Sequence, residues 1–143
     1  MNKKGFTLIE LLVVIAIIGL LSTLSVLALN SARARSRDAK RITDIKQIQT
    51  ALEMYYNDDG NYPATLASGD TIATGSNTYM MKVPTAPTPI DGTVCATTNS
   101  YVYTFASVSG TGGSYTLRYC LGAATGGVVA GINTATPAGI TSQ

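Results

Sequence analysis

The strongest constraint on this chain is a stretch of 24 residues, Phe6 to Leu29, in which the only charged side chain is Glu10. As a helix it is long enough to cross a hydrocarbon core of ~30 Å. A carboxylate in that setting costs on the order of a few kcal/mol at the centre and less near the interface, so it signals function and needs a partner. Lys3 and Lys4 stand just before the run. An ordinary uncleaved signal anchor accounts for the length but leaves Glu10 without a purpose. A secretory signal peptide fits poorly, because the apolar region exceeds the usual ~7–15 residues and no good small-x-small site precedes the basic residues that follow.

The order Gly5-Phe6-Thr7-Leu8-Ile9-Glu10, followed by that run, resembles the class III signal of type IV pilins and of the pseudopilins of type II secretion. The resemblance implies that a prepilin peptidase cuts between Gly5 and Phe6 and methylates the new amino terminus at Phe6. It also implies that Phe6 and Glu10 take part in assembly. The similarity continues through the helical segment to Tyr62-Pro63, a little under half the chain. One departure is Leu27, where such pilins often carry a proline eight residues after the glycine matched by Gly19. The fold class implied is α+β, pilin-like: a long helix with a transmembrane half and an amphipathic spine, packed on a small antiparallel head. The implied function is a structural subunit of a pilus or pilus-like filament. Its partners would be copies of itself, the peptidase, an assembly platform with minor pilins, and inner-membrane lipid before assembly. The alternatives are a secretion pseudopilin and a membrane-anchored adhesin or DNA-uptake module that never assembles.

Elementary electrostatics gives the motif a reason. Cleavage would free an α-amino group at Phe6 with an unperturbed pKa of ~7.7–8, largely positive at neutral pH. Glu10 is the only opposite charge in the apolar segment, and pairing the two lowers the cost of burying both. Made between neighbouring chains, that pair would set their stagger.

Ten basic and eight acidic side chains become eight of each once Lys3 and Lys4 are removed, which argues against a generally basic nucleic-acid binder. The charges are uneven. Arg33, Arg35, Arg37, Lys40 and Arg41 follow the apolar run with only Asp38 opposing them. They fit anionic lipid or acidic residues of adjacent subunits, and equally a solvated helical face. The positive-inside rule, counting five cations after the run against two before it, puts the head in the cytoplasm. The processing signal and a cysteine pair put it outside, first on the cytoplasmic membrane and then in an extracellular or periplasmic filament.

That pair, Cys95 and Cys120, is the whole thiol inventory. In an exported head an even count favours a disulfide over two buried thiols, and closing the loop would contribute roughly 3–4 kcal/mol. No histidine is present, so neither a Ser-His-Asp nor a Cys-His set can be built, and no metal, cofactor or enzymatic activity is expected. Asp58-Asp59-Gly60-Asn61 has the wrong ligand spacing for a calcium loop and fits a helix end.

These signals divide the chain into a leader, 1–5, the apolar half of a helix, 6–29, its amphipathic half, 30–57, and a head, 58–143. Ile42, Ile45, Ile48, Leu52 and Tyr55/Tyr56 form one stripe at helical spacing, with Lys46, Gln47, Gln49 and Glu53 on the exposed side. Asp38 and Arg41 offer only weak local pairing. Gly60 suits a left-handed cap, and Pro63 cannot continue the helix. Residues 58–92 read as a connecting loop with at most one short helix, and 93–143 as β-rich. Tyr101–Phe105 and Tyr115–Leu121 alternate as a hairpin turning through Ser109–Ser114. Its face of Tyr101, Tyr103, Phe105, Tyr115, Leu117, Tyr119 and Leu121 should pack on Ile45, Ile48 and Leu52. A third strand is expected at Val94–Ala96 or Val128–Ala130, and Gly131 to Gln143 reads as a weakly structured tail.

Overall fold

The computed structural model describes residues 5–90, 95, 100–106 and 113–142. Its backbone is one long helix, α1 (Leu8–Asp59), followed by six short strands. The chain divides into two compact units, 1–33 and 34–143.

In the first unit, the large apolar side chains from Phe6 to Leu29 are exposed, as befits a segment with no polar stripe to turn outward. The helix runs through Gly19 and Leu27 without interruption. Ser22, Thr23 and Ser25 return their hydroxyls to the carbonyl oxygens of Ile18, Leu20 and Leu21 at 2.7–2.8 Å. Three polar groups in an apolar run are thereby satisfied within the helix itself.

The second unit forms around the amphipathic half of α1. Ile45, Ile48 and Leu52 are wholly buried, three and four residues apart, so they share the side that meets the head. The helix stops where Gly60 takes φ 76° and donates its N–H to Tyr56 O at 2.8 Å. A left-handed residue there closes the last carbonyls, and glycine adopts it without a Cβ penalty.

Strands β3 (Val102–Ala106), β4 (Ser114–Leu121), β5 (Gly131–Thr136) and β6 (Gly139–Ser142) form one antiparallel sheet in that order. Tyr103 pairs with Leu117 and Phe105 with Tyr115, which puts the expected aromatic face on one side of the sheet. That face joins the helical stripe in a single core with Tyr101, Tyr119 and Leu121. The architecture is the α+β arrangement of a long helix against small antiparallel sheets.

Three expectations need correction. The strand paired to β4 on the side away from β3 is β5, not Val128–Ala130, where Val128 makes only an isolated bridge with Thr125, and the alternative at Val94–Ala96 rests on residues outside those described. The supposed tail is β5 and β6. Its core side carries Gly131, Asn133 and Ala135, residues too small or polar to show as an apolar alternation. The nitrogen of the buried Asn133 amide donates to Val129 O and Gly131 O, each at 3.0 Å, while its Oδ1 has no partner among the described residues. The stretch read as a loop contains a separate hairpin, β1 (Ile72–Thr74) and β2 (Asn77–Met80), turning at Gly75-Ser76 with Gly75 at φ 42°. The expected turn at 109–112, Asp91, and both neighbours of Cys95 lie outside the described residues.

Candidate functional site: the start of the helix

Two arrangements matter: the start of α1 in the first unit, and the seat of the head on α1 in the second. At the first, Thr7 stands immediately before Leu8. Glu10 lies three residues further on and reaches back to it. The Thr7 N–H donates to Glu10 Oε2 at 2.8 Å and the Thr7 hydroxyl donates to the same oxygen at 2.6 Å. The Glu10 N–H in turn lies 3.3 Å from Thr7 Oγ1. This is a capping box, in which two orphan donors of a helix start are satisfied reciprocally. It also puts a negative charge at the positive end of the helix dipole.

Both bonds from Thr7 to the carboxylate fall on Oε2, so among the described residues Oε1 is open to a further donor. Phe6, Ile9, Val13 and Val14 surround Glu10 in an open apolar notch of about 370 Å³. Phe6 is 84% exposed. A carboxylate pinned by its own helix, beside an apolar notch, can accept a cation brought by another molecule without first losing its orientation. Sequence reasoning had Gly5, Phe6 and Glu10 but missed Thr7 as their fourth member. The signal was present, since Thr-x-x-Glu before an apolar run is a helix-start pattern.

The basic cluster resolves into two kinds of residue. Arg33, Arg35 and Lys40 are exposed, and Lys40 pairs with Asp44 at 3.0 Å. Arg41 is not on a solvated face at all. It is 2% exposed and donates to Asp38 Oδ1 at 2.6 Å, to Pro87 O at 2.9 Å and to Pro89 O at 3.4 Å. Asp38 also accepts the N–H groups of Gly122 and Ala123 at 3.1 and 2.9 Å. The pair read as weak local pairing is therefore a buried bridge from helix to head on two sides. Gln49, expected on the exposed side, donates to Thr136 O at the end of β5.

The same region holds the disulfide. Cys95 and Cys120 are bonded, with Cα atoms 5.6 Å apart, and both are buried. Asp58 is held by the side chains of Tyr79 and Asn77, whose hydrogen bonds push its pKa below the usual carboxylate range. No group of three or more potential metal ligands occurs among the described residues.

Residues 1–26 match the family model for the prokaryotic N-terminal methylation motif. The chain is 36% identical over 98 residues to fimbrial protein EcpC of Eikenella corrodens, covering 68% of this chain and 64% of that one. It is similar to type II secretion system core protein G of Pectobacterium carotovorum subsp. carotovorum, 40% identical over 64 residues, 45% of this chain and 41% of that one. Core protein G of Escherichia coli K12 is 41% identical over 64 residues, 45% of this chain and 44% of that one. The chain thus spans less than two thirds of the length of the curated relatives it matches. No solved structure matches it. Among the described residues one helix, Leu8–Asp59, is long and apolar enough to cross a membrane.

Proposed function

For a chain that carries the prokaryotic N-terminal methylation motif and is similar to fimbrial and type II secretion core proteins, we propose a structural role: a subunit that polymerises into a pilus or pilus-like filament. The chain waits in the cytoplasmic membrane with residues 6–29 in lipid and the head outside. A prepilin peptidase removes 1–5 and methylates Phe6. The freed amine of one copy then meets Glu10 of another.

The observation that carries this reading is the pinned carboxylate at the mouth of an otherwise uncharged run, 6–29. Its own cap makes Glu10 tolerable at the membrane surface and, among the described residues, leaves one oxygen open. A second copy supplies both missing parts, apolar surface for the exposed run and an amine for the acid. Arg33 and Arg35, on the far side of the run, sit where anionic headgroups or neighbouring acids would meet them. The test is imaging of cell-surface filaments in cells with and without this protein, together with the mass of its amino terminus. Filaments that need the gene, built from chains beginning at methylated Phe6, are the expected result.

A second reading, a secretion pseudopilin, has one specific observation in its favour. The core protein G relatives are 40–41% identical over 64 residues, against 36% over 98 residues for the fimbrial match. Loss of protein secretion without loss of surface filaments in the deletion strain would select it.

A further inference from the structure

The four-stranded sheet has a second face, turned away from the core. Its side chains alternate with the core-facing ones: Val102, Thr104 and Ala106 on β3, Thr116 and Arg118 on β4. Arg118 is the only charged residue in β3–β6. It is exposed, and it makes no hydrogen bond or ion pair among the described residues.

Register places that arginine on an inner strand rather than at an edge. Val102, Arg118, Thr134 and Thr141 form one row across all four strands, roughly 14 Å wide at ~4.8 Å per strand. Thr104 and Thr116 pair in a neighbouring row, ~7 Å along the strands. Thr104 is exposed and Thr116 half-buried. A guanidinium offers five donors in a rigid fork that matches a carboxylate, and here hydroxyls and small apolar groups surround it with no strand carboxylate to compete. The aromatic side chains of β3 and β4 belong to the core on the other face. A nucleic acid would need stacking rings or several cations here, and these strands offer neither on this side. Threonine, valine and alanine make a level surface, which suits the flat ring of a sugar better than a protruding side chain.

We infer that the outer face of β3 and β4 binds an acidic polysaccharide, with Arg118 holding a uronate carboxylate in a bidentate pair. Thr104 and Thr116 meet hydroxyls of the sugar ring, and Val102 and Ala106 lie against its C–H groups. A single contact of this kind on a level face is weak. A polymer repeats the carboxylate and a crowd of heads repeats the arginine, so retention comes from avidity.

The test uses the full chain reconstituted at high density in phosphatidylcholine vesicles, sedimented with fluorescent polygalacturonate at physiological salt. It needs no filament, so it stands apart from the polymerisation reading. The unaltered chain should carry polygalacturonate down and leave neutral dextran in solution. Arg118→Gln should lower that retention by about tenfold, and Arg118→Lys should recover only part of it, because the charge returns without the fork. Thr104→Val with Thr116→Val leaves the arginine in place and should lower retention by about threefold through lost hydrogen bonds. The exposed Arg33 and Arg35 hold a polyanion by charge alone, which dextran sulfate reports. Its retention should be the same in every variant, and this also shows that the vesicles carry equal amounts of chain. Polygalacturonate retained equally by Arg118→Gln overturns the proposal. So does an equal fall for dextran sulfate, which would make Arg118 one more unselective cation. Double-stranded DNA retained as tightly as polygalacturonate, with the same dependence on Arg118, assigns the face to nucleic acid and overturns it too.

Discussion

Arg41 and Asp38 sit one turn apart on α1, 2.6 Å from nitrogen to oxygen, with both side chains out of contact with solvent. Each also holds the head: Arg41 through the carbonyls of Pro87 and Pro89, Asp38 through the N–H groups of Gly122 and Ala123. The value of such a pair lies less in its mutual attraction than in the cost of leaving half of it behind. Asp38→Ala strands a buried guanidinium and two backbone donors together. It should destabilise the second unit by about 3–5 kcal/mol, a large part of the ~5–15 kcal/mol typical of a folded domain. Denaturant unfolding of the full chain in detergent, followed by tyrosine fluorescence, measures the change. An effect under about 1 kcal/mol would reduce the bridge to an ordinary surface pair.

The disulfide closes a sequence separation of 25 residues, for which chain entropy alone gives roughly 3–4 kcal/mol. Cys95→Ser with Cys120→Ser should lower the denaturant midpoint by the corresponding amount without changing the helix content of the native protein. Circular dichroism and unfolding curves on the same sample separate the two quantities.

Five head tyrosines set the response to alkali. Burial pushes the Tyr103 and Tyr119 hydroxyls up to about 12. Burial, followed by the Glu53 and Asp44 carboxylates, raises Tyr62, Tyr101 and Tyr115 too. The folded state thus favours the neutral phenol, while the unfolded chain ionises near ~10. Stability should be flat below that value and fall steeply as pH rises from about 10 towards 12. Unfolding midpoints across that range check the slope; a midpoint independent of pH would show that these hydroxyls titrate normally.

Thr7 and Glu10 should be separable. Thr7→Ala removes a cap typically contributing ~1 kcal/mol, so filaments should be fewer but present. Glu10→Ala should leave cleavage intact and abolish incorporation, because nothing else in the apolar run can take an amine. Processing is read from mass on gels, and assembly from the sheared fraction. Normal filaments from Glu10→Ala would remove the pairing.

Much of this was legible from residue spacing. The stripe through Ile45, Ile48 and Leu52, the cap at Gly60, and the paired faces of β3 and β4 all follow from large apolar side chains at helical or strand period. What escaped did so for physical reasons. In β5 the core side is Gly131, Asn133 and Ala135, and no hydrophobic pattern marks a strand whose inward residues are small. The spacing of Asp38 and Arg41 tells of an i,i+3 neighbour but nothing of burial, which comes from loops more than 40 residues away. At the helix start, Glu10 was found because an acid in lipid demands a reason. Thr7 was missed because a threonine there demands none.

The most direct measurement is the intact mass of this protein recovered from sheared surface filaments. A mass matching residues 6–143 with one added methyl group is the predicted result. A polymer built from chains that still begin at Met1 would contradict it, since no amine would then lie at Phe6 for Glu10 to receive.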